Sequence, residues 1–205
     1  VCLNKARSAS NFEYTKELVE DLRCLFTSGN MCDLEIKIGE DVLHAHKLIL
    51  GARSPVFKKM MEYDCLESSS NSVTITDCPT LPFKKFLKYL YTGEVEDSTV
   101  NTMMLLYSLG EKYNVKALPE ACSRILLNKF ITEPVDDVAN IICDVLQLAE
   151  CHCNVKLQNF SETFIVNNFP VVSQKQNWKD LMKSNFELTS KILALVATGL
   201  QKVQS

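Results

Sequence analysis

The sequence predicts an α+β protein, with a small three-stranded sheet among helices and then a purely helical segment. Three observations carry that prediction. Apolar residues recur at helical spacing along most of the 205 residues, as in Leu18, Leu22 and Leu25. Three short stretches instead alternate apolar with polar residues, at 33–38, 42–46 and 73–76. Beyond Pro134 only the helical spacing remains. Strands and helices do not take regular turns along the chain, which excludes a doubly wound parallel sheet.

Residues 1–15 are polar and pattern-poor and are expected to form a linker or frayed end. From Lys16 the stripe of Leu18, Leu22 and Leu25, widened by Val19 and Phe26, predicts a helix that stops at Ser28-Gly29-Asn30. Its apolar face has two destinations, its own domain or another chain. In residues 33–38, Leu34, Ile36 and Ile38 share one face and Glu35 and Lys37 the other. Gly39-Glu40 turns the chain into a return strand, with Leu43 and Ala45 opposite His44 and His46. Leu48, Ile49 and Leu50 begin a short helix. Ser54-Pro55 starts the next, with Ser as cap and Pro at the first helical position. Val56, Phe57, Met60 and Met61 supply its apolar face.

A polar loop over 68–72 leads to the third strand, where Val73 and Ile75 alternate with threonines. Pro82 opens a helix carrying Phe83, Phe86, Leu87, Leu90 and Tyr91, and Gly93 closes it. Helices follow over 98–113 and 118–129, and Thr132-Glu133-Pro134 breaks the pattern. The segments 135–151, 154–168, 174–184 and 187–200 all have helical spacing. The expected organisation is a linker at 1–15, a first domain at 16–131 and a helical segment at 132–205.

Composition excludes several functions. The net charge is -3 and no basic run occurs, so nucleic acid is not the main partner. No apolar run reaches the ~18–20 residues that span a bilayer, and no signal peptide is visible, so no membrane partner is expected. The first residue is Val1 rather than Met, as expected of a fragment of a longer protein.

The nine cysteines are odd in number and several sit in apolar segments, which fits reduced thiols and a nuclear or cytoplasmic location. Cys151-His152-Cys153 is the nearest approach to a metal cluster. Its alternate residues diverge on a helix and no second cluster completes four ligands, so neither metal nor cofactor is expected. His44 and His46 would need converging polar groups to act as ligands or bases. The only other histidine is His152, and no nucleophile motif is present. They read as structural contacts, and no catalytic constellation remains.

The stretches "CDLEIKIGEDVLHAHKLILGARSPVFKKMM", "VTITD", "FKKFLKYLYTGEV" and "LGEKYNVKAL" give the order and spacing of a known module. Over roughly residues 16–200 the chain resembles a BTB/POZ domain followed by a BACK-type helical segment. It is most similar to the speckle-type POZ protein group of MATH-BTB ubiquitin-ligase adaptors. The resemblance implies a BTB fold, a three-stranded sheet capped by helical hairpins, with a leading helix packed across a two-fold axis. It also implies a non-catalytic role, bridging a type-3 cullin scaffold to substrates held by an upstream domain.

The family's residues carry over by position. Its dimer positions fall on Leu18, Leu22, Leu25 and Ile49, all large and aliphatic. The polar corner at the dimer axis falls on Asp33, His46, Lys47 and Arg53. The cullin-binding pattern, hydrophobic-x-Glu, falls on Cys65, Leu66 and Glu67. Cys65 is smaller than the usual Met or Leu, a difference worth about 1 kcal/mol of buried anchor. The helices after Pro134 match the family's additional cullin-binding helices, which puts residues 135–148 near the cullin face. The last helix is a second candidate for self-association, although Leu193 stands where an aromatic is expected. A transcription-related BTB protein recruiting co-repressors through its dimer groove is the alternative, and the helical segment argues against it.

Overall fold

The computed structural model describes residues 2–62, 71–96 and 98–203, with side chains described within 13–198. These form two compact units, Val1–Ala121 and Cys122–Ser205. The sequence expects a boundary at 131/132, where a helix does end. The units themselves divide earlier, within that helix.

The first unit opens with α1 (Cys2–Ser28). The sequence expects a linker over residues 1–15, but the helix already runs from Cys2. No glycine or proline occurs before Gly29, so nothing in the chain interrupts helical hydrogen bonding there. Then come β1 (Leu34–Ile38), β2 (Asp41–Ala45), α2 (Lys47–Arg53), α3 (Pro55–Glu62) and β3 (Ser72–Ile75). α4 (Thr80–Thr92), α5 (Val100–Lys112) and the start of α6 (Ala117–Thr132) complete the unit.

The sheet order is β2-β1-β3. β1 runs antiparallel to β2 and parallel to β3, pairing Ile36 with Leu43 and with Val73. The alternating residues fall as their period demands: Leu34, Ile36, Ile38, Val73 and Ile75 are buried. Behind them lies an aromatic cluster. Phe57 stacks on Tyr113 with ring centroids 4.6 Å apart, and Phe86 lies 5.2 Å from Tyr113. Ser54 is the predicted helix cap: its hydroxyl oxygen accepts the Phe57 N–H at 3.2 Å. The same hydroxyl donates to the Tyr113 carbonyl at 2.7 Å, tying the start of α3 to the end of α5.

Two glycines have specific reasons to be there. Gly93 ends α4 at φ +72, a left-handed conformation that costs residues with a Cβ, and its N–H returns to the Tyr89 carbonyl. At Gly110 a Cβ would lie 2.6 Å from the ring of Pro119, so α5 and the first turn of α6 approach as closely as they do only because of that glycine.

The second unit holds the rest of α6, then α7 (Val135–Ala139), α8 (Ile142–Cys151), α9 (Val155–Asn167), α10 (Phe169–Val172), α11 (Gln176–Ser184) and α12 (Phe186–Val203). One helix was expected over 135–151. It is two, because the backbone turns at Asn140 and Ile141. Likewise the region of 174–184 holds only α11, preceded by the short α10 with Pro170 in its first turn. Asn154 caps α9, its side-chain oxygen accepting the Leu157 N–H at 3.1 Å and its amide donating to Ser123 at 2.9 Å. Ile142, Val145, Leu146, Leu157, Ile165 and Ile192 are fully buried in this helical core. So are the thiols of Cys122 and Cys143, and burial pushes both up to about 12.

Candidate protein-interaction site

The predicted polar residues meet at one corner of the first unit. Asp33 stands ahead of β1, and its carboxylate accepts the backbone N–H of Lys47, the first residue of α2, at 2.8 Å. An acidic side chain there satisfies a free helical N–H and complements the positive end of the helix. The ammonium of Lys47 donates to the side-chain oxygen of Asn71, and Arg53 Nε donates to the Leu90 carbonyl at 3.1 Å.

His46 is the hub. Its Nε2 lies 2.8 Å from the Asn30 carbonyl, an acceptor only, so this nitrogen carries the proton. Nδ1 is then the acceptor, and the Tyr91 hydroxyl donates to it at 2.7 Å. The same hydroxyl accepts the His46 backbone N–H at 2.9 Å. Burial pushes the Tyr91 phenol up to about 12, so it is a neutral donor at physiological pH. Both imidazole nitrogens are engaged within the fold. The sequence pattern places Tyr91 only on the apolar face of the helix that Pro82 opens. Its pivotal role follows from a contact 45 positions away, which no local pattern reveals.

α1 serves its own domain along part of its length. Phe26 packs on Tyr91 with centroids 5.1 Å apart, and Arg23 donates to Glu94 at 2.6 Å. Leu18 remains 58% exposed, while Leu22, Leu25 and Ile49 are half-buried. Leu22, Ile49 and Arg53 line one concavity of about 250 Å³ with Leu90, Tyr91 and Thr92. The four aliphatic residues therefore split: Leu22 and Ile49 are brought together, whereas Leu18 and Leu25 do not line that concavity. A second apolar depression, of about 780 Å³, adjoins it through Ala52 and is lined by Lys47, Leu48, Gly51, Pro55 and Met61. Leu48 is 80% exposed there.

Cys65, Leu66 and Glu67 lie outside the described residues. Among the described residues, no group of three or more His, Cys, Asp or Glu side chains is placed to hold a metal ion. No described helix is long and apolar enough to cross a membrane. Cys24, Cys32, Cys78, Cys122, Cys143, Cys151 and Cys153 are all free thiols.

The family model of the BTB/POZ domain matches residues 22–130, which hold the sheet, the aromatic core and this corner. The chain belongs to the BTB/POZ domain family. The BTB domain is a protein-interaction module, so its surfaces are read as docking sites. Among curated proteins it is 30% identical to the BTB/POZ and MATH domain-containing protein 3 of Arabidopsis thaliana, over 88% of this chain and 46% of that protein. It is 25% identical to the protein maternal effect lethal 26 of Caenorhabditis elegans, over 88% of this chain and 44% of that one. It is 28% identical to the TD and POZ domain-containing protein 5 of Mus musculus, over 82% and 48%. The chain thus spans about half the length of the curated relatives it matches. Among solved structures, the BTB domain of zebrafish PATZ1 superposes with a TM-score of 0.48 at 19% identity, covering 57% of this chain and 93% of that one.

Proposed function

We propose that this chain is the dimerising and scaffold-binding part of a non-catalytic adaptor, which links substrates to a type-3 cullin RING ubiquitin ligase. The observation that carries the reading is the partly uncovered aliphatic surface of Leu18, Leu22 and Ile49 beside a rigid polar corner, in a chain whose relatives include a BTB and MATH domain protein. An isologous apolar interface is the usual way to cover such a surface. Asp33, His46, Lys47 and Arg53 support it by holding α2 and α4 in fixed register, so that Leu22 and Ile49 present one shape. Cys65, Leu66 and Glu67 are the proposed cullin contact, assisted by the helices after Pro134. Substrates are held by a domain upstream of these residues, and the reading places the protein in the nucleus or cytoplasm.

Light scattering of the chain, alone and mixed with the N-terminal domain of a type-3 cullin, tests both halves. A homodimer that takes up two cullin domains is expected. A species near 23.2 kDa that persists as concentration rises would contradict the dimer. A second reading, co-repressor recruitment, draws on the apolar depression at Leu48 and Met61. A dimer with no affinity for the cullin domain would favour it.

A further inference from the structure

The outer edge of the sheet has features used by neither surface above. β2 is an edge strand. Only Gly39 and Glu40 connect it to β1, so the closing pair of Ile38 with Asp41 is a narrow, hydrogen-bonded one. Alternation puts Ile36–Leu43 and Leu34–Ala45 in the same class. The backbone N–H and C=O groups of Val42 and His44 therefore point outward, away from β1. β1 agrees with this register, because the N–H of its Glu35 goes the other way, to the Asn71 carbonyl at 2.9 Å.

That edge opens onto a groove of about 560 Å³ between β2, α4 and the end of α1. Val42 and Leu81 contribute apolar walls and are 45% and 63% exposed. Lys84, Lys85 and Lys88 line the same groove with, among the described residues, one carboxylate, Glu96, which pairs with both Lys85 and Lys88. Among the described residues the lining thus holds three lysines against one carboxylate, although the chain as a whole is at -3.

We propose that this edge takes up an acidic, extended segment of a partner protein as a fourth strand. Val42 and His44 supply main-chain donors and acceptors to it. Alternate side chains of the segment meet Val42 and Leu81, and its carboxylates meet Lys84 and the Lys85–Lys88 pair. A second copy of β2 fits worse, because it would bring the same lysines face to face. The proposal is independent of the dimer and of the cullin contact.

The test is a titration of the isotopically labelled chain with the blocked peptide acetyl-Asp-Val-Glu-Val-Glu-Val-Asp-amide, followed by amide shifts and hydrogen exchange. Saturable shifts centred on Val42 and His44 are expected, with slowed exchange at those two amides. Lys84→Glu should weaken binding about fivefold, and a lysine-for-acid version of the peptide should bind about tenfold more weakly. Val42→Pro removes an outward donor but no ladder bond, so it should abolish binding while leaving the thermal melt in place. Shifts centred elsewhere, equal binding of the basic peptide, or no saturation at millimolar peptide would overturn the proposal. Self-association of the chain that Val42→Pro abolishes would also overturn it, assigning the edge to a second copy.

Discussion

Replacing Tyr91 with Phe removes one oxygen and leaves the ring. That oxygen serves His46 twice, accepting its backbone N–H at 2.9 Å and donating to Nδ1 at 2.7 Å. Both His46 groups lose that oxygen in Tyr91→Phe, and Nδ1 keeps only the weaker contact with the Cys32 thiol at 3.9 Å. An unsatisfied buried polar group costs about 1–3 kcal/mol. His46 is half-buried, so water recovers part of this and the expected loss is about 1–2 kcal/mol. For a chain of this size that lowers Tm by about 2–8 °C. Urea unfolding followed by circular dichroism reads the loss as a lower midpoint at unchanged slope. Wild type and variant are compared at one protein concentration, since dimerisation makes stability concentration-dependent. His46→Ala and the double variant complete a cycle, with an expected coupling of about 1 kcal/mol. A Phe variant within about 0.3 kcal/mol of wild type, or additive single changes, would refute the hub role of this pair.

Alkaline pH probes the buried neutral groups. Burial holds Tyr91, Cys122 and Cys143 at about 12, above their ordinary 10.0 and 9.0. Their raised values favour the protonated fold, so this stability is complete below pH 9 and is lost as pH climbs from there to about 12. Thermal melts across that range should show the fall, and Cys143→Val should remove part of it; a flat profile would contradict the burial argument. Gly110→Ala places a methyl against the Pro119 ring and should cost about 1–3 kcal/mol in urea unfolding; no loss would mean that α5 and α6 part freely. Leu18→Asp with Leu22→Asp puts carboxylates on the proposed dimer surface and should yield monomer by sedimentation; an intact dimer would place the interface elsewhere.

The strands were legible because alternation is local and strong. Leu34, Ile36 and Ile38 announce a buried face whatever lies on it. Ser54 and Gly93 were legible for the same reason, since a cap is chemistry between near neighbours. α1 was only half legible: polar residues 1–15 lack an apolar stripe, yet they also lack any residue that stops a helix. The break at Asn140 was missed because Val138, Ile142 and Leu146 keep helical spacing across it. At the site, residue types were readable and partners were not. Asp33 with Lys47, Arg53 with Leu90 and His46 with Tyr91 are contacts between elements distant in sequence, which periodicity does not encode.

Calorimetry of the chain with the N-terminal domain of a type-3 cullin tests the adaptor reading most directly. The account predicts binding with one cullin domain per protomer. Glu67→Lys should weaken it about tenfold or more, equivalent to about 1.4 kcal/mol. Cys65→Met, which restores an apolar anchor to the pocket it is proposed to fill, should bind as well as wild type or better. No heat of binding at tens of micromolar for wild type, and no rescue by Cys65→Met, would contradict the adaptor reading and leave a dimerising BTB protein that serves another partner.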